Sequence, residues 1–199
     1  MQYKKERKEV VKISKKLYKL GLVSLKGGNV SQKVKSHVLI TPKGKSYITL
    51  KPKDIVLIDL DGRVLEENKQ PSTDYRVHLE IYKAKDDTEA VVHTHSIFAS
   101  VVACLNIEIP VIFEEQKLLL ERLPVVGYAP SGSLELAKNV AEALKDSKAV
   151  LIEKHGVVAT GKTLIEAFYI SELVERLCKI FYFLFLFKNS AQDSLKHSL

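Results

Sequence analysis

Apolar residues in this chain switch between helical and strand spacing several times, and that alternation narrows the fold more than any single motif does. Residues 4 to 20 place Val10, Val11, Ile13, Leu17, Tyr18 and Leu20 at helical spacing, with Gly21 as the stop. "HVLITPKGKSYITL" and "DIVLIDLDGRVLEE" then read as strands broken by turns at Pro42, Gly44, Asp61 and Gly62, the second as a hairpin about Asp61-Gly62. A helix is expected over 73–84, a strand over 90–94 and a helix over 96–105 capped by Ser96. Strand "LPVVGYA", helix "SLELAKNVAEALK", strand "AVLIEKHGVVAT" and helix "TLIEAFYISELVERLCKIFYFLF" follow. Hairpins mixed with helices, without strict βαβ alternation, predict an α/β chain of the α+β type, with helices on the faces of a sheet.

At 199 residues the chain suits a single domain, and 46% hydrophobic with 28% charged residues excludes disorder. The net charge of +7 suits nucleic acid, an anionic membrane or a phosphorylated metabolite, so its distribution decides. Lysines crowd the opening helix (Lys4, Lys5, Lys8, Lys12, Lys15, Lys16) without interleaved aromatics, which reads as a solvated face and argues against nucleic acid. Cys104 and Cys178 lie far apart in apolar surroundings, which suggests neither a disulfide framework nor a cysteine metal site and fits a reducing cytoplasm. Charged residues interrupt the N-terminal segment too often for a signal peptide. "IFYFLFLF" at 180–187 follows closely on Glu172, Glu175, Arg176 and Lys179, so it is too short to span a bilayer and reads as a helix buried between subunits.

"EAVVHTHSIFAS" puts His93 and His95 two residues apart at the end of an apolar run, where strand periodicity turns both to one face, half of a metal site. Two polar residues at the mouth of a strand would look the same. His155, in the apolar strand-like "AVLIEKHGVVATG", is the candidate third ligand, although one histidine there also suits a hydrogen-bonded core position. Three histidines with an open fourth position form a catalytic zinc arrangement. In "KGGNVSQK" the Gly27-Gly28 pair can turn backbone N–H groups toward an anion, with Asn29 and Ser31 adding side-chain bonds. "TPKG" gives a second tight turn at Gly44, and "PSTDYRVH" sets Ser72, Thr73 and Asp74 at a helix start, where the dipole favours anions.

Taken in order, "GGNVS", "LITPKG", "PSTD", "HTHS" and "EKHG" resemble the class II aldolase family, of the L-fuculose-1-phosphate aldolase and L-ribulose-5-phosphate 4-epimerase type. The resemblance runs over about 6–187, within one class II aldolase/adducin-like domain spanning 1–199 with a C-terminal tail over 188–199. It implies a central, mainly antiparallel sheet flanked by helices, and a C4 homotetramer with sites between subunits. It also implies His93, His95 and His155 as ligands of one Zn2+ per subunit. Gly28, Asn29, Gly44, Ser72 and Thr73 would hold the substrate phosphate, and Asp74 would be the acid/base. The implied activity is that of a zinc-dependent lyase. It would cleave a ketose 1-phosphate to dihydroxyacetone phosphate and an aldehyde through a metal-stabilised enediolate.

The chain departs from the pattern in places. Aldolases of this type usually carry glutamate where Asp74 stands, and Lys26 replaces a common small hydroxyl residue. A tyrosine that some aldolases donate across the interface would fall in "IPVIFEEQ", where Phe113, Glu114 and Glu115 stand instead. Methylthioribulose-1-phosphate dehydration, with Glu114 or Glu115 as base, is the nearest rival. Ribulose-5-phosphate 4-epimerisation and a metal-free adducin-like binding module come next.

Overall fold

The computed structural model describes residues 1–196, with side chains through 188. The elements are α1 (Lys4–Lys19), β1 (Asn29–Val34), β2 (His37–Ile40), β3 (Val56–Asp59), α2 (Tyr75–Ala84), β4 (Ala90–Thr94) and α3 (Ile97–Leu105). Then follow α4 (Glu114–Leu119), β5 (Val125–Val126), α5 (Leu134–Ala143), β6 (Ala149–Ile152), β7 (Gly156–Gly161) and α6 (Leu164–Lys196). The strands form one seven-stranded sheet in the order β3-β2-β1-β4-β7-β6-β5. Every pairing is antiparallel except β5 with β6, as the mixture of hairpins and helices predicts.

Strand parity divides the core. Val91, Val158, Val150 and Ile152 pack with Val38 and Ile40 under α2 and α5. On the opposite face Ala90, Val92, Leu39 and Leu57 meet α1 and the start of α6, while Leu151, Val157 and Ala159 meet α3 and the rest of α6. Alternate residues of a strand therefore face different helices, and β4, β6 and β7 bury both faces. Burying apolar surface at about 25 cal/mol per Å² makes this two-sided core the main driving force for the fold.

Several sequence expectations change in detail. "NVSQKV" is a central strand although it is mostly polar, because β1 pairs with both β2 and β4 and its buried Asn29 and Ser31 find partners inside. The Asp61-Gly62 turn forms, with Gly62 at φ +88, but the returning strand is reduced to one bridge between Ile58 and Val64. "AVLIEKHGVVAT" is not one strand. It is a β6–β7 hairpin whose turn, Glu153 to His155, has Lys154 at φ +55 and closes through the His155 N–H to the Ile152 carbonyl at 3.1 Å. Ser96 precedes α3, but its side chain makes no cap bond. The Glu175 carboxylate on α6 instead accepts from the Phe98 and Ala99 N–H groups at 3.0 and 2.8 Å. Helix α6 runs on to Lys196, into the segment expected as a tail, whose last three residues lie outside those described. No helix among the described residues is long and apolar enough to cross a membrane.

Candidate metal and sugar-phosphate site

The register of the sheet assembles the site. His93 on β4 stands opposite Asn29 on β1 and Val158 on β7, so it points to the α2 face. His95 lies just past the end of β4, and His155 arrives on the β6–β7 turn. Gly156 permits that arrival, because a Cβ there would collide with the Thr94 carbonyl and come within 2.9 Å of the His95 ring.

The three Nε2 atoms converge. His93 Nε2 lies 3.0 Å from His95 Nε2 and 3.2 Å from His155 Nε2, and the ligand atoms all fall within 4.8 Å of one another. Nitrogens around a tetrahedral ion with Zn–N of about 2.0–2.1 Å stand roughly 3.3 Å apart, which the two separations from His93 approach, and the cluster as a whole could hold an ion. His93 Nδ1 donates to the Val157 carbonyl at 2.9 Å, which leaves Nε2 as a lone pair aimed at the cluster. Burial, then repulsion from His95 and His155, holds the His93 pKa well below its ordinary value. Burial lowers those of His95 and His155 as well. Neutral imidazoles are what an ion requires.

Asp74 completes this end of the sheet. It occupies the N-cap position of α2, yet its side chain makes no cap bond. Its Oδ1 instead accepts from the Ser131 hydroxyl at 2.6 Å and the Gly132 N–H at 2.9 Å, across the loop that leads to α5. Gly132 takes φ +74, and a Cβ there would meet the Thr73 carbonyl at 2.9 Å. So held, Asp74 turns Oδ2 toward the triad, 3.9 Å from His93 Nε2 and 4.0 Å from His155 Nε2.

Of the glycine and hydroxyl segments, Ser72 and Thr73 lead into Asp74 and Asn29 approaches it, while Gly44 lies on a separate groove. A bridge between Pro42 and Pro71, with the Ser72 N–H donating to the Thr41 carbonyl at 3.0 Å, sets the Gly44 turn against the start of α2. Gly44, at φ +67, opens on a groove lined by Lys43, Lys45, Lys53 and Lys69 together with Asp54 and Glu67, where Lys45 pairs with Asp54 at 3.5 Å. Ser72 is buried and Thr73 exposed. Gly28 packs its carbonyl side on Tyr47, whose hydroxyl donates to it at 2.8 Å, and Asn29 Nδ2 approaches Asp74 Oδ2 at 3.5 Å.

Other expected residues fall elsewhere. Ser31 is not at the anion side: it is fully buried and bonds to His78 and Tyr82. Lys26 is exposed. Glu115 accepts a hydrogen bond from Tyr169 of α6, Glu114 is exposed at the start of α4, and neither bonds to the triad. Sequence reasoning missed Ser131, Gly132 and His78. His78 had a signal, since Asp74, His78 and Tyr82 follow at i, i+4 and i+8 on one face of α2.

The profile of the Class II Aldolase and Adducin N-terminal domain family matches residues 8–182. An L-fuculose phosphate aldolase of Methanococcus maripaludis is 36% identical over 174 residues, 87% of this chain and 94% of that protein. A 5-deoxy-D-ribulose 1-phosphate aldolase of Bacillus thuringiensis is 34% identical over 184 residues, 92% of this chain and 86% of that one. The solved structure of an L-fuculose 1-phosphate aldolase superposes with a TM-score of 0.90 at 35% identity, covering 94% of this chain and 89% of the other.

Proposed function

The chain belongs to the class II aldolase family, and within it we propose that this lyase cleaves a ketose 1-phosphate, of the L-fuculose 1-phosphate kind, to dihydroxyacetone phosphate and an aldehyde. The observation that carries the reading is the meeting of three imidazole Nε2 atoms with one oxygen of a carboxylate whose other oxygen is already held by Ser131 and Gly132. A carboxylate serving as a helix cap would bond to its own helix, and Asp74 does not.

His93, His95 and His155 would hold one divalent ion, zinc by preference, because imidazole suits borderline ions whereas magnesium and calcium prefer oxygen. Such an ion supplies polarisation of the substrate carbonyl and stabilises the negative charge that grows on its oxygen. The protein does the rest. Gly28, Asn29, Gly44, Ser72 and Thr73 would donate to the phosphate and fix the reacting carbons in place at reduced entropic cost. As the carbon–carbon bond breaks, the hydroxyl on the carbon that becomes the aldehyde would lose its proton to solvent, and the electron pair would stay with the dihydroxyacetone phosphate fragment as an enediolate. Asp74 would protonate its carbon, and would remove the same proton in condensation.

Relatives named for L-fuculose phosphate and for 5-deoxy-D-ribulose 1-phosphate resemble this chain to a similar degree, which supports a ketose phosphate as substrate and leaves the aldehyde half open. The same reading includes a C4 homotetramer with sites between subunits, for which the apolar side chains exposed on α6 are the support. It also includes a cytoplasmic setting, in which the free Cys104 and Cys178 would stay reduced. The deciding experiment is elemental analysis of the purified protein, followed by assay against ketose 1-phosphates, methylthioribulose 1-phosphate and ribulose 5-phosphate. Release of dihydroxyacetone phosphate from the first class alone is the expected result. Water loss from methylthioribulose 1-phosphate, or epimerisation without cleavage, would replace the reading with one of its rivals.

A further inference from the structure

A row of buried polar groups runs from Asp74 into the protein interior, away from solvent. Asn29, Ser31, His78 and Tyr82 are each at most 4% exposed. Asn29 Oδ1 meets His78 Nε2, Ser31 Oγ lies 2.6 Å from His78 Nδ1, and Tyr82 Oη lies 2.6 Å from Ser31 Oγ. No step of the proposed reaction needs a histidine at this depth, and a core could fill the space with leucine more simply. Buried polar groups carry a desolvation cost that only complete pairing offsets. We propose that His78 is a positioning residue: with Ser31 and Tyr82 it forms a one-way hydrogen-bond chain that locks the Asn29 amide with its NH2 group facing Asp74 and the substrate phosphate.

The direction of the chain is set at the Asp74 end, where a carboxylate oxygen can only accept from Asn29 Nδ2, at 3.5 Å, and so turns Oδ1 to His78. Asn29 Oδ1 can only accept, so His78 Nε2 carries the proton. Burial pushes the His78 pKa down to about 4, so at neutral pH the ring has one proton and Nδ1 is an acceptor. Ser31 must therefore give its single hydrogen to Nδ1. Tyr82 must then give its own to Ser31. With the Asn29 amide so oriented each link has one sense, and the chain disfavours the flipped amide, which would require His78 to carry its proton on Nδ1, Ser31 and Tyr82 to reverse, and Oδ1 to face the carboxylate of Asp74. A flipped Asn29 would present a lone pair to an anion in place of N–H donors.

The inference rests on the assignment of Asn29 to the phosphate, so its test has an arm that does not. With histidine labelled at nitrogen, NMR reports which ring nitrogen of His78 is protonated, whether or not the protein turns over sugar. The parent should show the Nε2–H tautomer. Ser31→Ala removes the donor to Nδ1 and should give a mixture of tautomers, whereas Tyr82→Phe, which leaves the Ser31 hydroxyl in place, should keep the parent form. Inorganic phosphate titrated into the metal-loaded protein should bind about tenfold more weakly to Ser31→Ala, the loss of roughly one hydrogen bond's worth of bias. His78→Gln can donate to Asn29 and accept from Ser31, and should restore phosphate affinity relative to His78→Phe. Should His78→Phe fail to fold, Ser31→Ala still decides. A parent proton on Nδ1 overturns the chain. So does a Ser31→Ala variant that loses thermal stability while keeping parental phosphate affinity, since that marks a purely structural role. If the parent binds no phosphate at all, the substrate reading fails while the tautomer measurement still judges the chain.

Discussion

The end of the sheet beneath α2 and the far half of α6 treat their side chains in opposite ways. Beneath α2, Asp74, Asn29, His78, Ser31 and Tyr82 each bond to another member of the group, and Ser131 and Gly132 reach over to secure Asp74. Along α6, Phe183, Leu184, Phe185 and Leu186 are each 45% exposed or more, and Leu118 on α4 is 79% exposed. One region is satisfied within a single chain. The other presents a continuous apolar surface of the kind that a subunit contact covers. The contrast teaches that the histidine cluster and Asp74 are held by contacts within one chain, so the proposed chemistry and the proposed assembly can be perturbed separately.

The severest perturbation of the satisfied region is loss of a ligand. His155→Ala should reduce both metal content and cleavage to background, as measured by elemental analysis and product release. Full metal retention would remove His155 from the ligand set. Asp74→Asn comes next: it keeps the shape, cannot carry the proton, and should lower turnover by ~10²–10⁴-fold with metal retained. Exchange of a dihydroxyacetone phosphate proton with deuterated solvent should fall in parallel. Ser131→Ala leaves only Gly132 on Oδ1. A hydrogen bond to a charged group is worth about 1.5–3 kcal/mol, so turnover should drop about 10- to 100-fold with a smaller change in KM. Ser131→Thr should recover most of the loss.

Ser72→Ala should act mainly on KM, about fivefold, for phosphorylated substrates and leave unphosphorylated sugars unaffected. Equal losses on both would contradict its assignment to the phosphate. The exposed region should respond in the reverse manner. A Leu184→Asp/Leu186→Asp double variant should shift sedimentation to a smaller species while His93, His95 and His155 keep their metal, the smallest effect on the site itself. Loss of metal together with assembly would erase the distinction between the two regions.

The strongest signals in the sequence were those whose meaning is local. His93 and His95 share an apolar run, and Asp74 follows two hydroxyl residues at a helix start, so one short window reveals each. The β6–β7 hairpin is hidden because Val150, Leu151 and Ile152 and then Val157 and Val158 read as one apolar run, although the break at Glu153-Lys154-His155 is what brings His155 to the cluster. Strand β1 was hidden for the opposite reason, since Asn29, Ser31 and Gln32 lack the apolar alternation of a core strand. Ser131 could not be assigned from its neighbours. Its partner Asp74 is 57 residues away, and only the packing of α5 against α2 brings them together.

The β4–β7 pairing gathers candidate ligands separated by 62 residues of chain, from His93 to His155. In the unfolded polypeptide such donors meet only at the entropic cost of closing a long loop, so an ion that recognises all three selects the folded state. Heat resistance would then depend on the surrounding ion supply. Each tenfold rise in free ion above its dissociation constant should add about 1.4 kcal/mol to the unfolding free energy, and a chelator that takes free ion below that constant should withdraw the whole contribution. A melting temperature for this protein therefore has meaning only alongside a stated free-ion concentration.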